Sequence, residues 1–156
     1  MNTTNTIKFE NLPAVDDISG VIEDIFGVKL DVSGGWGYDN NSALIVKSLD
    51  VPLVQFFQMF ASMRANIEMN LTLDEDTRYA GINVTQLEHK EFKIENDKYD
   101  ILTFKVAGIK EKEYNNFIQE YKENFGKKEF DLDKHFKLRE ESTIKIESDF
   151  WFNFQF

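Results

Sequence analysis

The chain has 156 residues, enough for one domain that buries about two-thirds of its unfolded surface, and 42% hydrophobic content with fifteen Phe excludes a disordered chain. The absence of Cys excludes disulfides, thiolate metal sites and a Cys nucleophile. A net charge of −10, from twenty-eight acids and eighteen bases, repels nucleic-acid phosphates, and no run approaches the about 18 apolar residues that span a membrane. No apolar run follows MNTTNTIKFE, so the expectation is a soluble, cytoplasmic protein. Four N-x-Ser/Thr sequons, at Asn2, Asn40, Asn70 and Asn83, are read as chance in a chain rich in Asn and Thr.

In chain order, residues 1–6 are polar and expected to be loose. Pro13, Asp16 and Asp17 suit a helix start, and Ile18, Val21, Ile22, Ile25 and Phe26 follow helical spacing to a stop at Gly27. The other side of this helix carries Asp16, Asp17, Glu23 and Asp24. Alternation at Val28, Leu30 and Val32 predicts a strand over 28–33, and ALIVK over 43–47 a second, joined across SGGWGYDNNS.

Asp50 and Pro52 suit the start of a core helix over 51–65, with Leu53, Phe56, Phe57, Phe60 and Met63 inward. Ile67, Met69, Leu71 and Leu73 then alternate with polar residues, so a switch to strand near residue 66 is preferred over a helix running to Asn70. DEDTRYAG (74–81) reads as a turn, and the strand over 82–94 is interrupted near Gln86–Leu87 as by a bulge. ENDK (95–98) joins it to a strand with Leu102, Phe104 and Val106 inward. Tyr114, Phe117, Ile118, Tyr121 and Phe125 predict a helix over 111–125 ended by Gly126, while 127–141 is ambiguous.

The last stretch, IKIESDFWFNFQF (144–156), alternates for thirteen positions. Ile144, Ile146, Phe150, Phe152, Phe154 and Phe156 share one side, and Trp151 falls among polar residues on the other. So long an aromatic strand must be central or covered, because an exposed edge would aggregate. The fold class is therefore α+β: a mostly antiparallel sheet of about six strands with about three helices, in one domain.

Several constellations carry chemistry by residue type. The 34–42 loop has three Gly with Trp36, Tyr38 and Asp39, and it reads either as a recognition loop or as a turn whose Trp36 packs over a sheet end. No Gly-Lys-Ser/Thr follows, so it is not a phosphate loop. Asp131, Asp133 and His135 are spaced D-x-D-x-H, which could ligate a metal on a strand, but a capped turn accounts for them without one. DED at 74–76 lacks the Gly and distal Glu of a calcium loop. Arg64 reads as a partly buried cation paired with Glu68. Trp151 is an interface anchor if its face is open, and core if helices cover it. Neither an acid–base pair nor a G-x-S-x-G elbow is singled out, so no catalytic residue, cofactor or metal is assigned.

The acidity is uneven: residues 1–50 hold eight acids against three Lys. In this respect, and in the string GGWGYDNNSALIV (34–46), the chain resembles the small, acidic, Cys-free α+β immunity proteins that bacteria encode beside secreted toxins. The resemblance implies a cytoplasmic, non-enzymatic protein that blocks one toxin by binding it. A basic partner would meet Asp16, Asp17, Glu23, Asp24, Trp36, Tyr38, Asp39 and Trp151. The alternative is a small-ligand binder with an aromatic pocket. A monomer or a homodimer fits either reading.

Overall fold

Residues 11–71 and 78–156 are described by a computed structural model. The expectations for residues 1–6 and for residues 74–77 of the 74–81 turn lie outside them, while Tyr79, Ala80 and Gly81 of that expected turn belong to a strand. The fold is α+β, and the described residues form four α-helices and a five-stranded, mostly antiparallel sheet. The helices are α1 (Ile18–Phe26), α2 (Leu53–Asn66), α3 (Glu111–Asn124) and α4 (Leu132–Ser142). The strands are β1 (Val32–Gly34), β2 (Leu44–Val46), β3 (Tyr79–Ile94), β4 (Asp97–Lys110) and β5 (Ile144–Phe154), in the order β1-β2-β5-β4-β3.

The C-terminal strand is central, as its alternation requires. β5 pairs antiparallel with β4 from Asp100↔Phe152 to Gly108↔Ile144, and parallel with β2 through Leu44↔Phe152 and Val46↔Phe154. Phe150 and Phe152 are fully buried against α2, whose Phe56, Phe57 and Phe60 rings meet them at centroid separations of 5.0–6.4 Å. Each such side chain contributes roughly 1.5–3 kcal/mol of transfer free energy, which makes this the main core. Leu102, Phe104 and Val106 join it from β4, and Ile18 and Ile22 from α1. Phe156 lies beyond the strand and is 70% exposed, so the apolar row stops short of the expected end.

β3 and β4 form a hairpin over a two-residue turn at Glu95–Asn96, with Glu95 at φ 56°. The register shifts between Gln86 and Glu88, where the sequence places the bulge. α3 packs against β3 and β4, its Tyr114 ring beside Gly81, and α4 packs against β4, with Glu140 also paired to Lys145 of β5.

Three expectations are corrected. The chain stays helical after α2 through a π-helical turn, Ile67–Leu71, so five strands form rather than six. The preferred strand after residue 66 fails because Arg64 and Glu68 are both buried, as helical neighbours four apart. Asp50 caps nothing: Pro52 holds the N-cap of α2, and no side chain bonds there. The ambiguous 127–141 segment contains a fourth helix, α4.

Candidate functional site

Asp17 is the N-cap of α1, its Oδ1 accepting from Gly20 N–H at 3.1 Å, and Gly27 ends the helix at φ 70°. Asp16, Asp17, Glu23 and Asp24 are all exposed, while Ile18 and Ile22 are sunk in the core. The acidic face is therefore held rigidly outward. An open groove of about 450 Å³ runs beside it, with Glu23, Asp31 and Asp50 in its lining against one cation, Lys29. Ser48 donates to Asp31 Oδ2 at 2.7 Å and Ser19 to the Leu30 carbonyl at 2.6 Å, so the groove wall is fixed by its own hydrogen bonds.

The 34–42 loop folds inward. Trp36 is 3% exposed and stacks near Phe60 at 6.3 Å, so of the two readings of this residue the packed one describes it. Tyr38 donates its hydroxyl to Glu68 Oε2 at 2.5 Å and accepts from Leu12 N–H at 2.9 Å. Asp39 is exposed, but its Oδ1 accepts from Ser42 N–H at 2.8 Å and closes the loop on itself. Gly37, at φ 89°, is required twice over: its conformation favours glycine, and a Cβ there would meet the Trp151 carbonyl at 3.0 Å.

Arg64 pins this loop to α2. It is 1% exposed, and its guanidinium lies between the rings of Phe150, at 3.5 Å, and Tyr38, at 4.3 Å. It donates to the carbonyls of Trp36 and Gly37 at 3.2 Å and of Asp149 at 3.0 Å. Nε faces Glu68 Oε2 at 3.6 Å, an ion-pair separation too long for a hydrogen bond. Burial pushes the Glu68 carboxyl above its ordinary range, opposed by Arg64 and by the Tyr38 hydroxyl. Burial likewise lowers the Arg64 guanidinium, opposed by Glu68, and raises the Tyr38 hydroxyl, assisted by its bond to Glu68. The arrangement is a buried charge pair whose cation bonds to backbone acceptors of the 34–42 loop and of β5.

Trp151 lies on the sheet face away from α2, half-buried, with edge contacts to Tyr99 at 5.8 Å and Phe92 at 6.3 Å. The backbone N–H of Trp151 donates to the Gly37 carbonyl at 2.8 Å. Phe92 is 51% exposed, so this aromatic trio meets solvent. The acidic helix and Trp151 belong to different faces of the molecule. The structure thus brings Trp36 and Tyr38 together with Arg64, and leaves Asp16, Asp17, Glu23, Asp24 and Asp39 as the surface carboxylates of the set.

The histidines hold two arrangements that sequence reasoning missed. His89 Nε2 meets Asp100 Oδ2 at 2.7 Å across the β3–β4 ladder, beside Phe57. His135 is buried between α3 and α4, with Nδ1 3.2 Å from Glu120 Oε1. In the D-x-D-x-H string, Asp131 caps α4 by accepting from Lys134 N–H at 3.0 Å. Among the described residues, no three His, Asp or Glu side chains gather as metal ligands. No described helix is long and apolar enough to cross a membrane.

No protein-family model, curated protein or solved structure matches this chain.

Proposed function

We propose that this chain is a non-enzymatic protein-binding module of the immunity type, which neutralises a basic bacterial toxin by binding it directly. One observation carries the reading. Asp16, Asp17, Glu23 and Asp24 stand exposed on a helix whose apolar side is fixed in the core, beside a groove to which Asp31 and Asp50 add their carboxylates. Fixed surface charge of one sign speeds encounter with an oppositely charged protein and sets its orientation. Asp39 adds a further exposed carboxylate on the loop that Arg64 holds. Trp36 and Tyr38 serve the interface by shaping that loop rather than by touching the partner. Trp151, with Phe92 and Tyr99, offers an aromatic anchor on the other sheet face.

The test is co-expression with the product of the neighbouring open reading frame, followed by co-purification at moderate salt. The expected result is a stoichiometric complex with a basic partner whose toxicity is suppressed. Reversing Asp16, Glu23 and Asp24 to Lys should slow association by about tenfold or more at low salt and by less at high salt. Asp17 is left intact because it caps α1. A chain that emerges alone, with toxicity unchanged, would contradict the reading.

A further inference from the structure

β3 is an edge strand of the sheet, and residues 85–93 of it are all exposed. A two-residue turn joins it to β4, so Ile94 and Asp97 form a hydrogen-bonded pair, and the pairs alternate back from there in unbroken register to Glu88. Lys90, Phe92 and Ile94 therefore direct their backbone groups at β4, while Glu91 and Lys93 direct N–H and C=O at the open edge. Such a row is a template for another strand. The opposite edge, β1, has only three residues, so among the described residues the sheet has one long edge.

The side chains along this edge are self-complementary. Lys93 stands opposite a like charge, Lys98 of β4, and Glu91 is engaged with Lys98 at 3.1 Å. Among the described residues, no carboxylate lies within ion-pair distance of Lys93. Glu91 and Lys93 flank Phe92, which is 51% exposed. A twofold axis beside Phe92 places Glu91 of each copy opposite Lys93 of the other, on one face of the joined sheet. It also sets the two Phe92 rings side by side, next to Trp151 and Tyr99. Other centres fit worse. An axis at Lys90 or at Glu91 opposes two like charges, and an axis at His89 runs the ladder across the register shift between Gln86 and Glu88.

We infer that the β3 edge binds a second copy of this chain, antiparallel and centred on Phe92, so that the two sheets become one. The pairing is isologous and uses up the long edge of both copies, so it stops at a dimer. The net charge of −10 opposes self-association, and salt at 0.15 M screens it beyond about 8 Å, so the contact belongs to physiological ionic strength. α1 packs beside β1, at the far end of the strand order, so its acidic face stays open in the dimer. The inference therefore stands apart from the proposed function.

The experiment is sedimentation equilibrium of the full chain at 0.15 M salt, across a range of concentrations, with charge-reversal variants at the edge. The wild-type chain should show a reversible monomer–dimer equilibrium. Lys93→Glu sets two carboxylates opposite each other, and Glu91→Lys sets two ammonium groups so; each should weaken the dimer by about tenfold or more. Both positions are exposed, and thermal melting checks that the fold is kept. The double variant Glu91→Lys/Lys93→Glu restores opposite charges and should recover most of the lost affinity. Hydrogen exchange adds a residue-level reading: the amides of Glu91 and Lys93 should gain protection as concentration rises. A chain that stays monomeric to about millimolar concentration would overturn the inference. So would a dimer indifferent to the single reversals, or a double variant no tighter than either single one.

Discussion

Two buried polar side chains divide this molecule, Arg64 beneath the 34–42 loop and His135 between α3 and α4. Each is 1% exposed and packed against aromatic rings, yet they are satisfied very differently. Arg64 gives hydrogen bonds to three backbone carbonyls, faces two rings and pairs with Glu68, with Nε alone left without a hydrogen-bond partner. His135 has one carboxylate neighbour and an orphan nitrogen. Phe150, which Arg64 faces, is fully buried among the rings of the main core, whereas Phe136, which His135 faces, is exposed. Each keeps one buried nitrogen without a hydrogen-bond partner, so what separates them is the number of bonds made and the depth of the core around them. The first region ties the 34–42 loop to α2 and β5, and the second joins α3 to α4.

The sharpest way to break this contrast is Arg64→Met. It leaves Glu68 buried beside an apolar chain and removes a donor from three carbonyls, of which that of Gly37 keeps the Trp151 backbone N–H, so a loss of about 3–5 kcal/mol is expected, measured by urea denaturation. Next, His135→Ala should cost about 1–3 kcal/mol, and mostly locally: α3 and α4 loosen while the β4–β5 ladder keeps its protection from hydrogen exchange. Gly37→Ala tests the first region from the loop side, and its strained φ and close Trp151 backbone predict about 1–3 kcal/mol lost in thermal or urea melts.

The smallest effect is in pH dependence. Glu68 binds its proton more readily in the folded state than in the unfolded chain, because burial raises it. Folding therefore takes up a proton there as pH rises above the unfolded value of about 4.3, and the stability that this carboxyl contributes declines through that window. Relative to Glu68→Gln, the wild-type chain should lose stability as pH rises from about 4 toward neutrality, as read by urea midpoints of the two proteins in parallel. A difference independent of pH would show that Glu68 is equally ionised in both states.

What the sequence made legible follows the same division. The alternation of residues 144–154 and the short ENDK connection are local signals, and they yield β5 at the sheet centre and the β3–β4 hairpin. The helical run through Glu68 was hidden because Arg64 and Glu68, two charged residues, occupy inward positions, so the apolar stripe looks broken at the place where the pair is buried. The fourth helix was hidden for a similar reason: its one buried residue is a histidine, and Phe136 and Leu138 stay exposed. The acidic outer side of α1 was readable from helical spacing, and all four of its carboxylates are exposed. The inward turn of Trp36 and Tyr38 was not, since it depends on Arg64, which is 28 residues from Trp36 in the chain, and on Asp149, 85 residues from Arg64.

Residue-resolved hydrogen exchange on the intact chain tests the central contrast most directly. The account predicts that amides of α2, β4 and β5 exchange only through global unfolding, while those of α3 and α4 exchange through a local opening at least about 2 kcal/mol less costly. Equal protection in both regions would contradict it, because His135 would then belong to the same cooperative core as Arg64.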